Sequence, residues 1–189
     1  MTAITNTTRN GIDVAQVYGT LDAIAADPSL ARFEFRVSNR WITGTHSRST
    51  IQGFHGAGQE DASREQPFVV DASEPPVLLG HNEAPNPAEL LMHALAGCLT
   101  LTIVNVAAAR KVTLTEVTSR LEGELDARGA LGLDDSIRNG FHRLSVAFTV
   151  RGEASPEKLQ EIVERAKARS VVYDIVSNGV PVDVTAEVG

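Results

Sequence analysis

The sequence predicts an α+β protein, in which strands and helices are mixed without a regular strand–helix–strand alternation. Alternating apolar and polar residues predict strands in the first half of the chain and again after a long helix over residues 86–111. That helix is almost wholly apolar, whereas a second helix, over residues 155–170, is apolar on one face only. The 189 residues are enough for one domain with a sizeable core.

The first half of the chain is predicted to begin with a surface helix over residues 10–27. Asp13 or Asn10 is its N-cap, because either side chain can accept hydrogen bonds from the first turn. The elements predicted after it are two strands within residues 33–54 that break near Ser38-Asn39, a polar loop over residues 55–66, and a short strand with a proline turn over residues 67–80.

Three residues mark the start of the long helix. Asn86 is a good N-cap, Pro87 suits the first helical position, and Glu89 lies where a capping-box carboxylate belongs. The helix is predicted to end near Arg110 and Lys111, whose positive charges suit the C-terminal end of the helix dipole.

The apolar part of this helix, residues 90–109, is about as long as a membrane span. Its alanine content and its polar residues favour a central core helix in a protein without a membrane partner. The polar residues are His93, Thr100, Thr102 and Asn105. Because a helix that is apolar on all sides must be covered on all sides, we expect neighbours around it, including another subunit.

The second half of the chain is predicted to contain a long hairpin, two helices and a last strand. Strands over residues 112–127 and 141–152 are expected to pair around the loop between them, residues 128–140. Ser155 and Ser170 are the predicted N-caps of the two helices. The buried stripe of the first helix and the last strand are expected at Leu159, Ile162, Val163 and Ala166 and at residues 180–188, respectively.

The composition excludes several classes of function. The net charge is −7 and no basic cluster is present, so nucleic acid and anionic membranes are not expected as partners. The single cysteine, Cys98, excludes a disulfide within the chain, and the five histidines are too scattered for a metal site. No cofactor is expected. Because the first residues lack the pattern of a signal peptide, a reducing cytoplasm is the expected location.

Three features of the sequence occur together and in a fixed order. The segment APNPAELLMHALAGC, residues 84–98, places an Asn-Pro pair and the cysteine on one helix. Strands precede it, and a long hairpin and a second helix follow. The segment RSVVYDIVSNGVPVDV, residues 169–184, opens a short helix and leads to the last strand. In these features the chain resembles the OsmC/Ohr family over residues 30–187, which assigns residues 1–30 to an N-terminal helical extension and residues 31–189 to a single OsmC-like domain.

The resemblance implies an OsmC-like fold, in which antiparallel sheets wrap around central helices in an intertwined homodimer with active sites at the subunit interface. It also implies a thiol-dependent peroxidase that reduces organic hydroperoxides in the oxidative stress response. In the family, a helix cysteine is oxidised by the peroxide, and a second cysteine resolves the sulfenic acid as a disulfide. An arginine from an early strand and a glutamate after the Asn-Pro pair hold the thiolate and the substrate.

Carried onto this sequence, the resemblance supplies the nucleophile but not the resolver. Cys98 matches the peroxidatic cysteine, whereas the resolving position is Ser170, which cannot form a disulfide. The position directly after the Asn-Pro pair is Ala88, and Glu89 follows one residue later. After oxidation, the sulfenic acid would therefore need an external thiol as resolver.

The strand arginine is assigned to Arg48, while His46 stands at the closer match after Gly44. A cation matters because the thiolate, not the thiol, attacks a peroxide. Burial is expected to raise the pKa of the Cys98 thiol, and its own helix gives no help because the helix dipole acts only over the first turn. Arg48 is therefore the predicted source of positive charge.

Glu89 lies nine residues before Cys98. This spacing is about 13 Å along the helix and about half a turn around it, so the two side chains cannot touch within one chain. If Glu89 supports the site, it reaches the cysteine of a second subunit whose helix runs antiparallel. Dimerisation is then a condition of the mechanism.

Two functions of different classes remain open. The first is a one-cysteine peroxidase for organic hydroperoxides, with Cys98, Arg48 and Glu89 as its site residues and an external thiol as reductant. The second is a non-catalytic dimer that binds a small hydrophobic or thiol ligand at the subunit interface. Rapid alkylation of Cys98 at neutral pH favours the enzyme, and slow alkylation favours the binder.

Overall fold

The computed structural model describes residues 8–189 and confirms the α+β class, with antiparallel sheets and helices. These residues form two compact units. The first contains Asp13–Leu91, and the second contains Arg9–Ile12 together with Met92–Gly189. The division falls within the long helix that carries the cysteine.

The described chain begins with a hairpin of two short strands, β1 (Thr8–Arg9) and β2 (Ile12–Asp13). The predicted surface helix, α1 (Val14–Ala26), follows directly, and none of its residues is buried. The Asp13 carboxylate accepts hydrogen bonds from the backbone N–H groups of Ala15 and Gln16, at 2.9 and 3.2 Å. Asp13 is therefore the N-cap of α1.

Two three-stranded antiparallel sheets make up most of the first unit. Their strands are β3 (Glu34–Phe35), β4 (Ser38–Thr43), β5 (His46–Ile51), β6 (Phe54–Gly56), β7 (Gln59–Asp61) and β8 (Phe68–Ala72). In one sheet β5 lies between β4 and β8, and in the other β6 lies between β3 and β7.

The predicted strand break near Ser38 and Asn39 lies at residues 36–37, where β3 ends and β4 begins. Ser38 and Asn39 are the first two residues of β4. The chain turns a second time at Gly44, where φ is +52°, and this turn was not predicted. Glycine adopts this left-handed conformation without the strain of a Cβ atom. Because every residue of β4 is exposed, the apolar–polar alternation gave no information about where the strand ends.

The polar segment of residues 55–66, predicted as a loop, contains a hairpin of β6 and β7. Its two turn residues, Ala57 and Gly58, have φ values of +51° and +79°. Positive φ at both central residues is typical of the type I′ turn that joins two-residue hairpins. The usual sequence signal, Asn-Gly or Asp-Gly, is replaced here by Ala-Gly, so the hairpin was missed.

The cysteine-bearing helix, α2 (Pro87–Ala109), begins as predicted. Asn86 Oδ1 accepts a hydrogen bond from the Ala88 N–H at 2.7 Å, and Glu89 Oε2 accepts one from the Asn86 N–H at 2.8 Å. The two bonds together form a capping box, which satisfies N–H groups that the helix itself cannot.

The C-terminal end of α2 lies within a residue of the predicted position. Lys111 has a φ of +60°. Its N–H donates to the carbonyl of Ala108 at 3.0 Å, and the Val112 N–H donates to the carbonyl of Ala107 at 2.9 Å. This pair of bonds is the Schellman motif, which closes the helix with one left-handed residue.

Within this chain α2 is buried on one side only. Its buried residues are Leu95, Leu99, Ile103, Val106, Ala107 and Ala108. Leu101, in contrast, is 66% exposed, so the expectation of cover on all sides is not met by the single chain. By length and composition alone α2 could cross a membrane, but core helices of soluble proteins pass the same test.

The second unit contains the predicted hairpin and both predicted helices. The elements are β9 (Leu114–Glu124), α3 (Ala127–Ala130), β10 (Arg143–Gly152), α4 (Pro156–Lys167) and α5 (Val171–Asn178). β9 and β10 pair antiparallel, and the connection predicted as a loop contains the single turn α3. Ser155 caps α4 and Ser170 caps α5, as predicted.

The core of the second unit lies where α2, α4 and the hairpin meet. Ile103 and Ile162 are 1% and 0% exposed, and Ala166 is fully buried beside them. Leu159 and Val163 pack against this cluster, so the predicted apolar stripe of α4 is confirmed.

The last predicted strand, residues 180–188, is wrong for this chain. Residues 180–188 have no regular secondary structure and pair with no other described strand. The alternating valines Val180, Val182 and Val184 are 57%, 75% and 86% exposed. A strand needs a neighbour to complete its hydrogen bonds, and the described part of this chain offers this segment none.

The first described residues are tied to the loop that follows α2. The Arg9 guanidinium donates to the carbonyl of Lys111 at 2.8 Å. The Asn10 side chain donates to the carbonyl of Val112 at 3.0 Å and accepts from the Leu114 N–H at 2.9 Å. The N-terminal turn thereby satisfies backbone groups of the loop that follows α2.

Candidate functional site

Cys98 lies on α2 in the second unit and is half-buried, with a free thiol. The Thr102 hydroxyl donates to the Cys98 carbonyl at 2.7 Å, one helical turn away. A hydroxyl has a single proton, and in this structure the Thr102 hydroxyl donates it to the carbonyl rather than to the sulfur.

The hydroxyl of Ser170 lies against the Cys98 sulfur. Ser170 is 2% exposed and stands at the N-terminus of α5. Its Oγ accepts a hydrogen bond from the Tyr173 N–H at 3.3 Å and donates one to Cys98 Sγ at 3.2 Å. The cap bond occupies a lone pair of Oγ, which leaves the hydroxyl proton to point at the sulfur.

These contacts set the acidity of the thiol. Burial raises the pKa of Cys98, but the Ser170 hydroxyl and the backbone N–H groups of Val172 and Val171 stabilise the thiolate. The net result is a pKa below the ordinary value of a cysteine. Hydrogen bonds to the charged form and the N-terminal end of a helix both have this effect.

The expectation that the Cys98 pKa is raised is therefore corrected. The N-terminus of the helix that carries Cys98 does not stabilise the thiolate. The N-terminus that does belongs to α5, whose cap Ser170 lies 72 residues later in the chain. Two features of the sequence already pointed to Ser170. Ser170 was predicted as a helix cap, and the resemblance placed the same residue beside Cys98.

Arg48 lies on β5 in the first unit and forms a bidentate ion pair with Asp71. Its Nε and Nη2 donate to the two carboxylate oxygens of Asp71 on β8, at 2.6 and 2.9 Å. The Arg48 hydrogen bonds, opposed by partial burial, hold the pKa of the Asp71 carboxyl at about 2. Arg48 and Asp71 are register partners, so opposite charges on adjacent strands were the signal that sequence reasoning missed.

His46, the alternative to Arg48, lies on the same strand. Its Nε2 is 3.5 Å from Asp71 Oδ2, within the range of an ion pair. The Nε2 atom is nevertheless buried and makes no hydrogen bond within the described residues. We regard the geometry as a close contact rather than a hydrogen bond, because 3.5 Å is beyond the usual N–H···O distance.

Glu89 is engaged in the capping box of α2, where its carboxylate accepts from the Asn86 N–H. The structure thus brings Cys98 together with Ser170, and Arg48 together with Asp71 and His46. Their roles in catalysis stay predictions.

A groove of about 690 Å³ opens in the second unit, between α2, β10, α4 and α5. Leu99 and Tyr173, which lie close to Cys98 and Ser170 in sequence, both contribute to its wall. Phe148 and Val163 contribute apolar surface to the groove, while Glu164 and Lys167 contribute charged groups, and Lys167 Nζ lies over the Tyr173 ring, 5.6 Å from the ring centre.

Among residues 8–189 no group of three or more His, Cys, Asp or Glu side chains is arranged to hold a metal ion.

The family model described as OsmC-like protein matches residues 80–185, which is more than half of the chain. The chain belongs to the OsmC-like family. The match includes α2 with Cys98, the β9–β10 hairpin and the two helices after it. No curated protein matches the chain.

Solved structures share the OsmC-like fold. The OsmC like protein from Mycoplasma pneumoniae is 12% identical, with a TM-score of 0.59, over 77% of this chain and 88% of that one. An organic hydroperoxide resistance protein OsmC from Legionella pneumophila is 19% identical, with a TM-score of 0.51, over 77% of this chain and 91% of that one. An OsmC-like protein of unknown function from Vibrio cholerae is 15% identical, with a TM-score of 0.52, over 76% of this chain and 94% of that one. At these identities the likeness is one of fold.

Proposed function

We propose that this OsmC-like protein is a one-cysteine peroxidase that reduces organic hydroperoxides in the cytoplasm, with Cys98 as nucleophile and an external thiol as reductant. The observation that carries the proposal is the contact of Cys98 Sγ with the Ser170 hydroxyl at the N-terminus of α5, which favours the reactive thiolate. The name of the Legionella fold neighbour, an organic hydroperoxide resistance protein, supports the same reaction class.

The proposed reaction begins with attack of the Cys98 thiolate on the terminal oxygen of the hydroperoxide. An S–O bond forms and the O–O bond breaks. The alkoxide leaves and takes a proton from water to become the alcohol. Sulfur is oxidised by two electrons to a sulfenic acid, and the peroxide is reduced by the same two electrons.

The second half of the cycle needs two external thiols, because the chain has one cysteine. The first thiol attacks the Cys98 sulfur, which releases water and leaves a mixed disulfide. The second attacks that mixed disulfide, which releases the external disulfide and restores the Cys98 thiol. A reducing cytoplasm supplies such thiols.

The groove whose wall includes Leu99, the residue after Cys98, supports an organic rather than an inorganic peroxide. Its wall includes Leu99, Ile103 and Phe148, which favour an alkyl or aryl group over a small polar molecule. We propose that the organic part of the substrate binds there.

Arg48 and Glu89 are kept as proposed contributors to the site. In the single chain the Arg48 charge is paired with Asp71, and Glu89 caps its own helix. We propose that Glu89 acts on Cys98 of a second subunit. In the single chain, Arg48 is not among the groups that lower the Cys98 pKa. Those groups are Ser170, the backbone N–H groups of Val172 and Val171, and Thr102.

A direct assay tests the proposed function. Purified protein with a monothiol or a dithiol reductant is expected to consume an alkyl hydroperoxide, and Cys98→Ser is expected to reduce the rate to that of the reductant alone. Arg48→Ala and Glu89→Gln belong in the same series. Absence of turnover with every reductant, together with slow alkylation of Cys98 at neutral pH, would refute the enzyme and leave the binding dimer.

A homodimer is proposed because apolar surface remains uncovered in the single chain. Leu101 on α2 is 66% exposed, and the valines of residues 180–188 have no strand partner among the described residues. A large apolar surface of this kind marks an interaction site.

The dimer proposal predicts the behaviour of two matched variants. Leu101→Glu places a charge on the uncovered side of α2 and is expected to convert a dimer to a monomer, because an unpaired charge in an interface is costly. Leu133→Glu changes a residue that is 71% exposed in the connection between β9 and β10, and is expected to leave the dimer intact. Analytical ultracentrifugation measures both. A monomeric native protein, or equal effects of the two substitutions, contradicts the proposal.

A further inference from the structure

The hydrogen bonds of Ser170 have a fixed direction. Its Oγ accepts from the Tyr173 N–H at 3.3 Å, so the hydroxyl proton is free for Cys98 Sγ at 3.2 Å. The side chain is 2% exposed, and water therefore has little access to compete for this proton. The reacting sulfur thus faces a donor that is oriented before any substrate binds.

We propose that Ser170 is a catalytic residue of the one-cysteine cycle, whose hydroxyl donates a hydrogen bond to the Cys98 sulfur as thiolate and again after oxidation. The second part of this assignment rests on the proposed function. The O–H bond of Ser170 stays intact in every step, so the residue contributes a hydrogen bond and transfers no proton. Ser170 thereby occupies the position of the resolving cysteine but cannot form a disulfide with Cys98.

This role has a consequence for the oxidised state. A hydroxyl cannot displace the oxygen of a sulfenic acid to form a disulfide, so the neighbour closest to the oxidised sulfur holds it without resolving it. The sulfenic acid then persists until a thiol from outside reaches Cys98. With a serine at position 170, reduction of the Cys98 sulfenic acid therefore depends on external thiols.

The experiment has to separate the hydrogen bond from the cap. Glycine is accepted at a helix N-cap at a cost of only a few tenths of a kcal/mol, but it has no donor. Ser170→Gly therefore removes the donor and keeps α5, whereas Ser170→Thr keeps both functions. Ser155→Gly is the matched control, because Ser155 caps α4 with the same 3.3 Å bond, to the Lys158 N–H, and is not bonded to Cys98.

The first measurement is the rate of Cys98 alkylation by iodoacetamide as a function of pH. Ser170→Gly is expected to move the midpoint to higher pH by roughly one unit, because a hydrogen bond to a charged group is worth about that much. Ser155→Gly and Ser170→Thr are expected to keep the native midpoint. An unchanged midpoint in Ser170→Gly, or an equal shift in Ser155→Gly, overturns the assignment.

The second measurement is hydroperoxide turnover by the same four proteins, with the thermal midpoint of each as a check on folding. Ser170→Gly is expected to lose about tenfold in kcat/KM at neutral pH, in line with its smaller thiolate fraction. Alkylation needs no peroxide, so a protein that fails to turn over but shows the shifted midpoint refutes the proposed function and supports the thiolate role of Ser170. Turnover of hydroperoxide with an unshifted alkylation midpoint in Ser170→Gly supports the proposed function and refutes the thiolate role of Ser170.

Discussion

A Ser170→Cys variant is expected to form a disulfide with Cys98 within one chain after a single equivalent of organic hydroperoxide. The Ser170 Oγ atom, which the new cysteine sulfur would replace, is 3.2 Å from Cys98 Sγ. A disulfide needs a sulfur–sulfur distance of about 2.05 Å, so a small rotation of the two side chains suffices. The new thiol would attack the sulfenic acid, and water would leave.

The measurement is the number of free thiols together with the intact mass. In Ser170→Cys both thiols are expected to disappear and the mass to fall by two hydrogens. The native protein is expected to gain one oxygen or, where an external thiol is present, the mass of that thiol minus two hydrogens. Ser177→Cys is the matched control, because Ser177 lies on α5 about 10 Å further along the helix axis. Retention of both thiols in Ser170→Cys, or disulfide formation in both variants, contradicts the predicted geometry.

The Ile162→Ala variant is expected to lose about 2–5 kcal/mol of unfolding free energy. Ile162 is 0% exposed at the point where α4 meets α2, and its removal leaves a cavity against Ile103 and Ala107. For a chain of this length each kcal/mol lowers Tm by about 2–4 °C, so thermal unfolding resolves the effect.

The control for this prediction is Leu133→Ala, because Leu133 is 71% exposed and a substitution there is expected to change the free energy by less than about 0.5 kcal/mol. A stability of Ile162→Ala equal to that of Leu133→Ala contradicts the core described here. Cys98 alkylation in the folded variant shows whether the loss stays confined to the core.

Helix starts were predictable because their signals are local. Asn86, Ser155 and Ser170 each cap the helix that the sequence assigned to them, and Asp13 is the cap of α1 from the predicted pair of Asp13 and Asn10. A cap depends on four consecutive residues, and the required side chains are few. The apolar stripe of α4 is equally local, and Ile162 and Ala166 are buried as expected.

The errors have a common physical origin in surfaces that lack a partner within the chain. The exposed strand β4 has no buried face to mark where it ends, and the turn at Gly44 was not predicted. The valines of residues 180–188 alternate as in a strand, but no described strand pairs with them. Alternation of apolar and polar residues indicates which face of a segment becomes buried, but it does not identify the element that buries it.

The site was only half predictable for a different reason. Cys98 and Ser170 are 72 residues apart, and no spacing rule connects them. The family resemblance did connect them, but it described the position as a missing thiol. The contribution of Ser170 to thiolate stability depends on the direction of one O–H bond, which the fold alone determines.

The tie between Arg9, Asn10 and the loop after α2 bears on how this protein is produced for study. A version shortened to begin after Asn10 would leave the carbonyls of Lys111 and Val112 and the Leu114 N–H to water. The left-handed Lys111 would then close α2 without outside support. A truncation that removes Arg9 and Asn10 therefore acts on the loop at the end of the helix that carries the thiol.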